Sequence, residues 1–222
     1  MIDLVANVFV DWIDDPCNAT TLTNVAYFPD GAAAMPDLGP DCAATGLSGF
    51  TPDPANPGFS FTNLHDTNDP FDVAIDPTGS WALVTMERGH KLYRIDFGAS
   101  VTSLDLSDSS TGVAIQHDGK GAVVAEATVD FYYAPTGSLT PFPMSQDRPN
   151  TDFHNIALSP DDYVAGVVGN SSIQFVSTID GTILGAYPIS AGNSIAISAD
   201  GSYAFVSDRA NGYVRVVPLP VN

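Results

Sequence analysis

Lysine and glutamate are almost missing from this chain: Lys91 and Lys120 are its lysines, Glu87 and Glu126 its glutamates. Both residue types favour helices, so their scarcity argues against a helical fold. Seven Lys and Arg face 26 acids, for a formal net charge of −19. No basic patch of the kind that neutralises phosphates can be built from that balance, which excludes nucleic acid as a partner and disfavours anionic membrane surfaces. No apolar run approaches the roughly 18 residues of a membrane helix, so no span is expected. Cysteine is limited to Cys17 and Cys42, too few and too far apart for a zinc site. The first residues, "MIDLVANVFVDW", carry no basic leader and no cleavage site. They are therefore not read as a signal peptide, and the chain is expected to be made without one or to be a mature or excised segment.

Aspartate is abundant, with 24 copies. Its short side chain caps local backbone and suits turns. An all-β chain with many Asp-bearing turns follows, and the acidity itself reads first as a solvated surface. High salt or divalent cations would screen the same charge.

Five stretches share one plan: "NVAYFPDGAAAMPD" (24–37), "DVAIDPTGSWALVTM" (72–86), "GVAIQHDGKGAVVAE" (112–126), "NIALSPDDYVAGVVG" (155–169) and "SIAISADGSYAFVSD" (194–208). Each is an apolar run, a Pro/Asp/Gly turn and a second apolar run. Alanine recurs at 26, 74, 114, 157 and 196, and again eight residues later at 34, 82, 122, 165 and 204. Intervals of 48, 40, 43 and 39 residues match four-stranded propeller blades. A three-residue loop ending in a left-handed Gly is expected in each hairpin, with Asp162 in that role in the fourth. The two alanines of each hairpin are expected to lie opposite one another, letting a neighbouring sheet come close. Apolar residues on both faces of these strands imply burial on both sides.

Third strands are expected at "KLYRIDF", "DFYYAP", "SIQFVST" and "YVRVVPL", and fourth strands at "VTSLDLS", "LTPFP" and "TILGAYPI". Pro141 and Pro143 are tolerated in an outermost, edge strand. The first repeat carries a decorated loop over 35–58, with strands near 46–51 and 59–64. The last repeat offers three strands, and residues 3–13 offer one more. Pairing of the two ends is expected to close a single β-propeller domain over 1–222, five repeats beginning near 24, 72, 112, 155 and 194. A fragment of a larger ring is the alternative.

"DPTGSWALVTMERGHKLYRIDFGAS" and "SADGSYAFVSDRANGYVRVVPL" resemble YVTN-type, lactonase-like propeller repeats. The resemblance covers 72–216 well and 24–71 weakly. It departs at "AAAMPD", a poor strand, and in blade count, commonly seven in that family. It implies a periplasmic, extracellular or surface-associated propeller, and no single activity. Cys17 and Cys42 flank the first hairpin; with that location implied, a disulfide between them is expected, two lone thiols being the alternative.

Candidate site residues fall at the channel mouth, where first strands begin and second strands end. Asn24, Asp72, Gly112, Asn155 and Ser194 precede the first strands; Glu87, Arg88, Glu126, Asn170, Asp208 and Arg209 follow the second. His154, His65, Asp66, Asp69 and His90 are placed on the same face, and His117 at the far end. Two functions fit. One is a binding scaffold, expected to be a monomer, whose mouth takes a protein, glycan or small molecule. The other is a metal-assisted, lactonase-like hydrolase or lyase, with Asp72, Glu126, Asn155 and Asp208 around calcium and His154 as base. A salt-bridge ring through Arg88 and Arg209 is the structural rival to the metal.

Overall fold

The computed structural model describes residues 2–3, 8–9, 25–37, 46–50, 59–64, 66, 68, 70–86, 89–125, 129–142, 155–169 and 171–220. Those residues contain strands and turns, and no helix. The N-terminal pair is β1 (Ile2–Asp3) and β2 (Val8–Phe9). The first repeat supplies β3 (Ala26–Tyr27), β4 (Ala33–Asp37), β5 (Gly46–Phe50) and β6 (Phe59–Asn63). The second supplies β7 (Pro70–Ile75), β8 (Trp81–Met86), β9 (Lys91–Asp96) and β10 (Ser100–Asp105). Next come β11 (Gly112–Ile115), β12 (Gly121–Ala125), β13 (Val129–Tyr133) and β14 (Ser138–Phe142). The fourth repeat gives β15 (Ile156–Leu158), β16 (Val164–Val168), β17 (Ser172–Ser177) and β18 (Ile183–Pro188). Last are β19 (Gly192–Ile197), β20 (Tyr203–Asp208) and β21 (Tyr213–Pro218).

Each repeat folds into its own antiparallel meander, four of them four-stranded and the last three-stranded. First strands pack against first strands along the series β3, β7, β11, β15, β19, which is a propeller arrangement. All three expected fourth strands form, as β10, β14 and β18, and Pro141 sits in β14, which pairs on one side with β13. The doubtful "AAAMPD" stretch is a strand, β4. The expected pairing of the N-terminus with the last sheet is not among the pairings of the described residues. There Ile2 faces Phe9 and Asp3 faces Val8, while β21 pairs with β20.

The hairpin turns adopt the expected backbone. Gly79, Gly119 and Gly201 lie at φ 73°, 68° and 70°, and Asp162 takes the same left-handed conformation at 61°. Loop length differs from expectation. In the first hairpin Phe28 N–H donates to Ala32 O across a three-residue loop. In the second, Asp76 N–H donates to Trp81 O across four. The third, fourth and fifth repeat the longer form, through Gln116–Gly121, Ser159–Val164 and Ser198–Tyr203. One extra loop residue shifts the register by one and turns a side chain to the other face. Ala26 therefore pairs with Ala34, but Ala74 pairs with Leu83 and Ala82 with Ile75. The expectation of facing alanines holds in the first hairpin and is corrected in the other four.

That correction assigns the faces. Ala82, Val84, Val73 and Ile75 pack back onto Ala26, Phe28 and Ala34 of the preceding sheet. Ala74, Leu83 and Leu92 pack forward onto Val113, Ala122, Val124 and Tyr132 of the following one. The same alternation joins the third sheet to the fourth and the fourth to the fifth. Ala82, Ala122, Ala165 and Ala204 are completely buried, each against the preceding sheet.

Candidate functional site

The mouth is built where each first strand begins. Asp72 enters β7 at a register shift between Pro70 and Asp72. Its N–H donates to Thr85 Oγ1 at 3.1 Å. Its Oδ1 accepts from Val73 N–H at 2.9 Å, and its Oδ2 accepts from Val113 N–H of the third sheet, also at 2.9 Å. The carboxylate is 1 % exposed. It thus satisfies a buried strand N–H on the neighbouring blade, which would be costly to leave unmade.

Asn155 does comparable work from the other side. Its Nδ2 donates to Thr111 Oγ1 of the third sheet at 2.9 Å, and both residues are buried. Gly112 lies between these two clamps. A Cβ there would collide with Asn155 Oδ1 and press on Ile156 Cγ2, so glycine is what lets the fourth sheet approach. In the fifth sheet Ser194 N–H donates to Ser207 Oγ at 2.9 Å, repeating the bond of Asp72 to Thr85. Asp208 ends β20 and is buried; its Oδ1 accepts from Asn211 N–H at 3.1 Å and its Oδ2 from Asn211 Nδ2 at 3.0 Å. It caps the turn into β21.

The sequence placed further residues on this face. Asp66 accepts from Asn68 N–H at 3.0 Å and from Tyr93 Oη at 2.5 Å. Burial, then that hydrogen bond, pushes the Tyr93 phenol well above its ordinary range. His90 is exposed, in a left-handed turn at φ 54°. Arg209 is exposed, and its N–H donates to Ala191 O. Asn24, His65, Asp69, Glu87, Arg88, Glu126, His154 and Asn170 lie outside the described residues, as do Cys17 and Cys42. Among the described residues, no three His, Cys, Asp or Glu side chains gather as a metal-binding group. His117 sits in the turn between β11 and β12, at the opposite end of the strands from Asp72, where its Nδ1 lies 2.6 Å from Asp162 Oδ1.

Sequence reasoning missed a second set of polar contacts on the outer strands. Arg94 of β9 stacks over Trp81, 4.7 Å from the ring centroid. It donates to Asp96, to Tyr132 Oη at 2.9 Å and to Ala134 O at 3.1 Å, joining the second sheet to the third. A cleft of about 340 Å³ opens beside it, lined by Arg94, Asp96, Thr102, Tyr132 and Thr136, and apart from the mouth residues. The signal in the sequence was one Arg at a strand position where the third and fourth sheets carry Phe131 and Phe175.

No protein-family model matches the chain, and no curated protein matches it. Solved structures do. Hydrazine synthase from Kuenenia stuttgartiensis superposes with a TM-score of 0.69 at 16% identity, over 93% of this chain and 67% of that one. A protein from Lactobacillus plantarum gives 0.68 at 17%, over 88% and 69%. A functionally unknown protein from Desulfotomaculum acetoxidans gives 0.68 at 18%, over 90% and 70%. At these identities the likeness is one of fold, and it supports the propeller arrangement that the repeats and sheets display.

Proposed function

We propose that the chain is a binding scaffold: a propeller of five repeat-built blades that takes a protein, glycan or small-molecule ligand at its mouth. One observation carries this reading. Of the four groups expected around a metal, the three within the described residues hold blades and turns together, Asp72 on Val113, Asn155 on Thr111 and Asp208 on Asn211. What remains for recognition is the loops between second and third strands, which differ from repeat to repeat in the sequence. The net charge of −19 would speed encounter with basic partners. An exported location and a Cys17–Cys42 bridge belong to the same proposal, and intact-mass measurement with and without reductant checks the bridge.

The hydrolase alternative puts Glu126 and His154 beside calcium. Assay of a lactone panel with calcium separates the two. The scaffold reading expects no turnover, and binding of a ligand from a glycan or basic-protein panel that weakens in Arg209→Ala. Calcium-dependent hydrolysis that Glu126→Gln and His154→Ala abolish would overturn it.

A further inference from the structure

The outer part of the interface between the third and fourth sheets is filled by aromatic rings. Phe131 of β13 and Phe142 of β14 stack with centroids 5.9 Å apart, and Phe142 is 5% exposed. The turn of the fourth sheet lies against that ring, so that a Cβ at Gly181 would collide with it. One interface earlier the corresponding positions carry Arg94 and Leu104. Arg94 faces Thr102 as Phe131 faces Thr140, and Leu104 faces Leu92 as Phe142 faces Val129. Gly137 takes the place of Gly181: the two N–H groups donate to Tyr133 O and Ser177 O, each from the same point of its turn. A Cβ at Gly137 would meet nothing nearer than Tyr132 Oη at 4.0 Å. The space that two Phe rings fill in one interface is open in the other. It is the cleft of about 340 Å³ between β9, β10 and the turn from β13 to β14.

The groups around it are polar and nearly neutral as a set. Asp96 Oδ1 accepts from Arg94 Nε at 2.9 Å and from Nη2 at 2.8 Å, so the two charges cancel at contact distance. Asp96 Oδ2 accepts no hydrogen bond among the described residues. The Tyr132 hydroxyl accepts from Arg94 and donates to none of them, and Arg94 keeps one Nη2 hydrogen after its bonds to Asp96, Tyr132 and Ala134. Leu104 and Pro135 add an apolar wall.

We propose that this cleft, apart from the mouth and independent of what the mouth takes, binds a single neutral sugar ring. Its volume lies at the small end of ligand sites, about 300–1,000 Å³, which suits one ring. Asp96 Oδ2 accepts from a ring hydroxyl, the Tyr132 hydroxyl and the remaining Arg94 N–H donate to others, and the apolar wall meets the C–H face of the ring. An anion gains little from a guanidinium already paired with a carboxylate and is repelled by a net charge of −19. A cation gains as little from the paired Asp96.

Saturation-transfer NMR on the full chain tests this with glucose, galactose, mannose and N-acetylglucosamine, each at up to about 10 mM. At least one of these sugars is expected to give saturable transfer and to shift tryptophan emission, because Trp81 lies under Arg94. Thr102→Trp fills the cleft from an exposed position on β10 and should abolish both signals. Asp96→Asn should weaken binding about tenfold or more. Circular dichroism melts confirm that the two variants fold. Binding of a neutral ring should hold from low to high salt. No transfer from any of these sugars, or transfer that neither variant changes, overturns the proposal. Binding of inorganic phosphate in place of every sugar, lost as salt rises, overturns it as well, since that would make the cleft an anion site.

Discussion

Asp30, Asp118, Asp161, Asp180 and Asp200 all do one thing: each carboxylate accepts the N–H two residues further on, at Ala32, Lys120, Tyr163, Thr182 and Ser202. The preference for Asp over Glu follows, because the longer side chain cannot close that ring. Asp76 does more. Burial acts to raise its pKa, but hydrogen bonds from the Thr78 hydroxyl and from the N–H groups of Trp81, Thr78 and Ser80 outweigh it and hold the carboxyl below its ordinary value. The Ser159 hydroxyl lowers Asp161 and the Ser198 hydroxyl lowers Asp200 in the same direction. A carboxyl with a lower pKa in the folded state adds stability above its unfolded pKa, near ~4, and loses it as pH falls through the folded value. Thermal melting from pH 7 downward should therefore stay level to about pH 5 and then decline. Asp76→Ala should cost about 1–3 kcal/mol at neutral pH by stranding the buried Trp81 N–H, and should flatten the acid decline.

At the scale of the strand and hairpin, alanine burial separates the two registers that an eight-residue spacing allows. Ala122→Leu should destabilise by about 1–3 kcal/mol, because that alanine is completely buried against the second sheet. Ala196→Leu, on the open face, should be nearly neutral in a denaturation experiment. Equal costs at both sites would contradict the faces assigned here. Most strands were legible from the chain alone. "KLYRIDF", "SIQFVST" and "YVRVVPL" became β9, β17 and β21 to within a residue. The left-handed turn residues were legible too, Asp162 included. The facing of the alanines was not, because loops of three and four residues both fit the spacing, and only the bond of Asp76 to Trp81 settles which one closes the turn.

At the scale of the whole molecule, blades are joined by polar staples at both ends of their apolar interfaces. Asp72 to Val113 and Asn155 to Thr111 lie at the mouth; His117 N–H to Asp162 Oδ1, 3.0 Å, lies at the far rim. The sequence expects polar groups at the mouth, and among the described residues Asp72, Asn155, Ser194 and Asp208 stand at or beside strand ends. It did not reveal what their side chains bond, because Asp72 reaches the Val113 N–H 41 residues away and Asn155 reaches Thr111 Oγ1 44 residues away. Gly112→Ala should lower stability in a melt by pushing Asn155 out of its place, although glycine at that position looks unremarkable in the sequence.

The account turns on whether Asp72 is a clamp or a ligand, and a thermal melt of wild type and Asp72→Asn with and without millimolar calcium decides it most directly. An amide that presents its NH₂ toward Val113 N–H loses one of the two bonds, so the variant should melt a few degrees lower, about 2–4 °C for each kcal/mol lost. Calcium should raise neither protein beyond what magnesium does at the same concentration. A calcium-specific, concentration-dependent rise in the wild type that vanishes in Asp72→Asn, with the variant's metal-free melt unchanged, would contradict the account.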